Sequence, residues 1–445
     1  MRASNIRTSF IPALSFLLLM ITSFAGTSQA QTISPPPTAA GYPFWKSFDP
    51  GKITRGNDGA VWFAGSNGML GRLSLTGSLK TFTVEPLNGP NGEGAIQGIY
   101  WGPDNNVWYG TFSGIVGKLN PTTGAVTRFQ LPERVVFDIT RGPDGNMWAT
   151  VGASVYRIST AGAFTAFSLG GRDSGAMLRP GPDGNMWIME TFGRRIYHMN
   201  TAGLILNVFT LTDPHVPTCG LTCAGITAGP DGNMWFTQND SFPQIGRITM
   251  SGQITYFPLL GKGATDIAWV HDGNIWFSDP DDRLIARISP ATGVITYFEP
   301  VGQDHFFSVL RAISSASDGN LYFTGIKPDP ATGDAPGVGK IPLSVPEHAV
   351  GINIYPTHAR SFSGSVAGFS DFETINGSFF NATIHWGDGT SSKGTVTRVL
   401  TGNPNEFQVH GSHTYAKKGK FTVTINVSEP GDQYSFRMQA VASVQ

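Results

Sequence analysis

The heptapeptide Gly-Pro-Asp-Gly-Asn-Met-Trp stands at residues 142–148, 181–187 and 229–235 without a change of letter. Four diverged copies accompany it: GNDGAVWF at 56–63, GPDNNVWY at 102–109, VHDGNIWF at 270–277 and ASDGNLYF at 316–323. The shared aspartates are Asp58, Asp104, Asp144, Asp183, Asp231, Asp272 and Asp318, spaced by 46, 40, 39, 48, 41 and 46 residues. A unit of this length, built from short strands and tight turns, is the sequence signature of a β-propeller blade. Asp-Gly is the preferred pair of a two-residue type I′ hairpin, in which both positions take positive φ, so each copy is expected to join the first two strands of a blade. Two further strands follow in each unit. IGRITM (245–250) is echoed by LGRLSL (70–75) and VGKLNP (116–121), and ITYFPL (254–259) by LKTFTV (79–84) and VTRFQL (126–131). The expected fold is all-β, a seven-bladed propeller over 42–344. YPFWKSF (42–48) is the fourth strand that the last blade lacks, and pairing there closes the ring and removes open edges. The recurrent tryptophan, Tyr322 in the last copy, is expected to fill the wedge between blades.

Residues 1–30 read as a cleaved secretory signal. Arg2 and Arg7 form a positive start, Ile11–Phe24 is mostly apolar, and Ser28-Gln29-Ala30 is a small-x-small cleavage site ahead of Gln31. A linker at 31–41 then leads into the propeller. The expected location is periplasmic or extracellular, with no membrane span. Only 14% of residues are charged and the formal net charge is −1, so there is no basic surplus to neutralise phosphates and nucleic acid is excluded as a partner. The expected partner of a monomer is a small molecule, a peptide or a cell-surface polymer. The two cysteines, Cys219 and Cys223 in CGLTC, read as a disulfide in an exported chain, with a metal site completed by His215 as the alternative.

After about residue 349 the repeat stops. ATIHWGDGTSSKGTV (382–396) and GSHTYAKKGKFTVTINV (411–427) are strands with turn signals, and 349–445 suits a small β-sandwich. Tyr415 is placed to hydrogen-bond across an inter-strand corner.

The blade pattern GIT-x-GPDGN-x-WFT, followed by IGRIT and T-x-F-x-L, resembles the streptogramin B (virginiamycin B) lyase family over residues 42–344, and the tail, with WGDGT, HTY and G-x-FTVT-x-NV, resembles a PKD domain. The first resemblance implies a magnesium-dependent elimination that opens the ester of a cyclic depsipeptide, using a histidine base and two metal-binding glutamates on the sixth blade. Carried over by blade position, the base falls on Thr265, the glutamates on Gly263 and Asp279, and a substrate-contacting histidine of the fifth blade on Ala224. Only Asp279 keeps a suitable side chain.

Long connections at 85–97, 211–224, 299–311 and 325–338 are expected to rim the channel, where propeller ligands bind. Gln97, Glu190, Gln238, Asp266 and Arg311 are the expected ligand-binding residues, with Asp138 near the same mouth. Glu190 is expected to pair with Arg194 or Arg311. Asp266 and Asp279 are the candidate ligands for Mg2+ or Ca2+, the DPDDR run at 279–283 is a second acidic candidate, and His305 in QDHFF is the spare base. The expected function is a secreted, ligand- or surface-binding propeller. The alternatives are an active carbon-oxygen lyase with Mg2+ and a Ca2+-dependent lactonase-like hydrolase.

Overall fold

A computed structural model describes residues 32–34, 40–43, 50–65, 68–85, 95–170, 176–211, 224–239, 243–259, 263–270, 272–280, 283–298, 309–327, 335–341, 343, 349–370, 380–399, 406–428 and 435–445. The signal segment, Cys219, Cys223, His215 and His305 lie outside the described residues, as do Asp281 and Asp282. Every element among the described residues is a strand.

Between residues 50 and 298 the strands group, in chain order, into antiparallel sheets of four, numbered here from first to sixth. Their innermost strands are Pro50–Arg55, Ile96–Trp101, Val136–Arg141, Ala176–Pro180, Ile226–Ala228 and Asp266–Trp269. A seventh sheet has Val309–Ser315 innermost, followed by Leu321–Lys327 and Ala335–Ile341. Each innermost strand touches the next, and the strand at 309–315 returns to the one at 50–55, so the ring is closed. The outer strand of the seventh sheet comes from the N-terminus, as expected, but it is Ala40–Pro43, with Tyr42 opposite Val338, and not the whole of 42–48. Thr32–Ser34, in the segment expected as a linker, lies parallel to Ile295–Phe298 as a fifth strand on the sixth sheet.

The repeat itself is explained letter by letter at residues 142–148. Gly142 N–H donates to the Asn146 carbonyl at 2.8 Å, and Gly145 N–H donates to the Gly142 carbonyl at 3.2 Å. Gly145 has φ +75°, whereas Asp144 has no positive φ. The turn is therefore a three-residue loop, a type I turn closed by a left-handed glycine, and not the expected type I′ pair. Pro143 suits the second position of a type I turn, where φ near −65° is wanted. Asp144 Oδ1 accepts the Trp148 indole N–H at 2.9 Å, and Asn146 Nδ2 donates to Asp144 Oδ2 at 2.8 Å. A Cβ on Gly142 would sit 2.3 Å from Trp148, so the glycine makes room for the indole. The same Asp-to-Trp bond recurs at Asp58, Asp104, Asp183, Asp231 and Asp272, and at Asp318 the Tyr322 hydroxyl takes the place of the indole. A buried indole needs a partner for its N–H, and the turn supplies one without leaving the hairpin.

Those aromatics fill the wedges between sheets. Trp62 packs with Trp101 and Tyr109 of the second sheet, Trp148 with Leu178 and Ile188 of the fourth, and Trp276 with Leu310 and Phe323 of the seventh. Tyr322 packs with Ile53, Phe63 and Leu73 of the first, which closes the circle in the core as well as in the backbone. Each indole also stacks on an outer-strand phenylalanine, as Trp187 does on Phe209 at 5.7 Å and 10°.

The C-terminal strands form a separate sheet in the order Ala349–Gly351, Ser361–Ser370, Glu406–Thr414, Ser391–Arg398, Asn381–His385, Gly419–Ser428, Ser435–Val444. Its first and last strands touch, so it curls over a core centred on Ile384, Trp386, Val423 and Ile425. The Tyr415 hydroxyl donates to the Trp386 carbonyl at 3.1 Å, the corner bond expected from sequence.

Candidate ligand site at the propeller channel

The innermost strands carry the channel, and one position on them decides its chemistry. Six residues before the shared aspartate stand Lys52, Gly98, Asp138, Met177, Gly225, Asp266 and Ala312. The two acids each follow a glycine of the preceding sheet. A Cβ on Gly98 would lie 2.9 Å from the Ile139 nitrogen, and one on Gly225 3.1 Å from the Ile267 nitrogen. The glycines therefore let the acid-bearing strands approach closely. Each acid then reaches forward to the next sheet. Asp138 Oδ2 accepts the Leu178 N–H at 3.2 Å, and Asp266 Oδ2 accepts the Ile313 N–H at 3.0 Å.

Both acids also carry a cation. Arg179 donates to Asp138 Oδ2 at 2.6 Å, and Lys52 Nζ lies 3.5 Å from Asp266 Oδ1. Burial works against the Arg179 charge, but Asp138, with Tyr100 and Asp266, outweighs it and holds the guanidinium above its ordinary value. Arg179 lies 6.0 Å from the Tyr100 ring centre. Together with Arg55, Thr54, Thr227 and Ser314, these groups line a channel cavity of about 140 Å³. A second cavity of about 280 Å³ is lined by Lys52, Gln97, Arg311, Gly51, Ala95, Ile96 and Ala312. Lys52 belongs to both.

The structure thus brings Gln97, Arg311 and Asp266 to one connected region through Lys52. It does not bring Glu190 or Gln238 there. Glu190 is buried and accepts Arg195 Nε and Nη2 at 2.9 and 2.8 Å and the Tyr197 hydroxyl at 2.9 Å. Its arginine partner is Arg195 and not the expected Arg194 or Arg311, and Gly193 leaves the space against which Glu190 Oε2 packs. Burial and the Glu190 bond push the Tyr197 phenol up to about 12. Gln238 is fully buried opposite Gln244. Asp279 is fully buried opposite Leu284 and does not line the channel cavity that Asp266 lines. Among the described residues no group of three or more His, Cys, Asp or Glu side chains is gathered as a metal site.

At the position where the resemblance implies a base, the Thr265 hydroxyl lies 3.1 Å from the Ser278 hydroxyl and 3.4 Å from the Arg311 carbonyl. Ala224 N–H donates to the Thr237 hydroxyl at 3.2 Å. Neither position offers a proton acceptor of useful basicity. Lys52 is the site residue that sequence reasoning missed. Its signal was available, since it occupies the repeat position of Asp138 and Asp266.

The sequence model of the virginiamycin B lyase family matches residues 37–217 and 215–341. No curated protein matches the chain. Among solved structures, a streptogramin B lyase superposes with TM-score 0.57 at 22% identity, covering 68% of this chain and 96% of the other. A catalytically inactive histidine-to-alanine variant of virginiamycin B lyase from Staphylococcus aureus, solved with quinupristin, gives TM-score 0.58 at 22% identity, covering 68% and 99%. The WD40 propeller domain of Doa1 gives 0.53 at 10% identity, covering 70% and 97%.

Proposed function

The chain belongs to the virginiamycin B lyase family, and from that premise we propose that it is an exported seven-bladed propeller that binds a polar ligand at its channel mouth without cleaving it. A PKD-like sandwich at 349–445 serves as a second contact or spacer. The observation that carries the reading is Thr265. An elimination needs a group that accepts a proton near neutral pH, and the Thr265 hydroxyl is held instead against Ser278 and the Arg311 carbonyl. The metal half of the reaction fares no better, since Gly263 has no donor and Asp279 is fully buried opposite Leu284, outside the lining of the channel cavity.

What remains at the mouth suits binding. Lys52, Arg311 and Gln97 offer donors around one cavity, which favours a ligand with carboxylate or carbonyl oxygens. The test is equilibrium binding of quinupristin and of acidic peptides to the mature protein and to Arg311→Gln. Hydrogen bonds to a charged donor are worth about 1.5–3 kcal/mol, so the substitution weakens a true mouth ligand by about tenfold or more. Equal affinity for both proteins removes the mouth as the site.

A further inference from the structure

A separate cavity of about 430 Å³ opens between the first and second sheets, lined by Asn57, Asp58, Arg72, Lys80, Trp101, Asn105, Asn120, Pro121 and Thr122. It lies on the side of the Asp-Gly hairpins and shares no residue with the channel mouth. Its volume falls in the range of small-molecule pockets, roughly 300–1,000 Å³.

The two grooves that follow along the chain are shut by contacts that this one lacks. After the second sheet, Lys118 Nζ donates across to the Thr160 carbonyl at 2.7 Å, and after the third, Arg157 Nη1 donates to the Thr201 carbonyl at 2.8 Å. The receiving turns press in as well. A Cβ on Gly162 would meet Phe129 at 2.0 Å, and one on Gly203 would meet Phe167 at 2.0 Å. Between the first and second sheets both closures are missing. Arg72 turns back to its own hairpin, with Nε on the Asp58 carboxylate and Nη2 on the Asp58 carbonyl. The receiving turn is one residue longer, running from Asn120 to Ala125 where the next runs from Ser159 to Ala163, and Gly124 touches nothing.

The lining departs from the repeat at the same place. Asn57 replaces the proline that a type I turn favours, and that proline is kept at Pro103, Pro143, Pro182 and Pro230. Asn57 and Trp101 are each 4% exposed, and Asn57 Oδ1 and Trp101 Nε1 are buried with no hydrogen-bond partner. Both residues line this cavity; buried polar atoms are almost always paired, so an acceptor and a donor in one cavity wall mark a place for a group that is both, such as a hydroxyl. Arg72 is neutralised by Asp58, whereas Lys80 is exposed, lies 4.5 Å over the Phe82 ring and has no acidic partner among the described residues.

We propose that this inter-blade cavity binds a hydroxylated monocarboxylate of monosaccharide size, a sugar acid, with its hydroxyl between Asn57 and Trp101 and its carboxylate on Lys80. The ligand comes either free or as the end of an acidic polysaccharide.

Isothermal titration of the mature protein with sodium glucuronate, glucose and trigalacturonate tests this. Saturable one-to-one binding of glucuronate, at least tenfold tighter than glucose, is expected. Asn57→Pro restores the repeat residue and Lys80→Met removes the charge; each is expected to weaken binding at least tenfold with melting temperature unchanged, while Arg311→Gln has no effect. Tighter trigalacturonate binding assigns the site to a polymer end, and equal or weaker binding assigns it to the free acid. Absence of saturation by about 20 mM glucuronate, equal binding of glucose, full binding in both pocket variants, or loss of binding in Arg311→Gln overturns the proposal. So does a crystal soaked in glucuronate that shows only one water bridging Asn57 and Trp101.

Discussion

Asp138→Ala removes the acid that ties the third sheet to the fourth, and its cost follows from two contacts. Asp138 is 3% exposed and Arg179 25% exposed, at 2.6 Å from each other. Breaking a buried ion pair by deleting one partner costs about 3–5 kcal/mol. Solvent still reaches a quarter of Arg179, which reduces that penalty to about 2–3 kcal/mol. The Leu178 N–H loses its carboxylate acceptor, adding about 1 kcal/mol. The expected loss is about 3–4 kcal/mol, a fall of roughly 140- to 700-fold in the folding equilibrium at about 1.4 kcal/mol per decade. Guanidinium unfolding followed by tryptophan fluorescence reads it, because the stacked indoles of the propeller report on the inter-sheet wedges. The double variant Asp138→Ala/Arg179→Met removes both charges and is expected to recover about 2 kcal/mol. A loss below about 1 kcal/mol in the single variant, or a double variant less stable than the single, refutes the staple.

Asp144→Ala leaves the buried Trp148 N–H without its acceptor and is expected to cost about 1–3 kcal/mol in the same assay. Acid weakens the propeller through the repeat aspartates. Asp104, Asp183 and Asp318 have carboxyls held below their ordinary 3.8: burial acts to raise them, and their hydrogen bonds and basic neighbours prevail. Their folded values are lower than the unfolded one, so their contribution is complete above about 3.8 and is lost as pH falls through the folded values. A melting-temperature scan is expected to be flat from about pH 5 to about 9 and to drop below about 4. Tyr197 shifts the other way, so its contribution is complete below about 10 and fades as pH rises toward 12. Phenolate absorbance is expected to lag for this residue in wild type, and Glu190→Gln brings its titration back toward 10.

The ring was legible because its cause is local. Each repeat keeps an aspartate that holds the aromatic ring, five of the seven keep a glycine beneath that ring, and six of the seven keep a left-handed glycine where the second has Asn105, and all of these leave letters in the sequence. The turn type was misread for the same local reason. Asp-Gly alone is compatible with two hairpins, and only the backbone bond from Gly142 to Asn146 separates them. The C-terminal corner was readable from Tyr415 and Trp386. Partners were far less so. Glu190 finds Arg195 rather than Arg194 because Arg194 takes φ +56° and turns the chain, which composition cannot reveal. The channel became clear only when Lys52, Asp138 and Asp266 were set on one level, since their pairing is between sheets more than a hundred residues apart in part. The inter-blade cavity was invisible from the repeat because it is made by what one blade omits.

Incubation of the protein with quinupristin, with magnesium and then with chelator, tests the central claim most directly. Elimination leaves the mass unchanged, so chromatographic retention and fragmentation are the readouts. The account predicts intact cyclic depsipeptide under both conditions at high protein concentration. A linear product that forms with magnesium and disappears with chelator would contradict it, and would mean that a base other than the residue at 265 serves this channel.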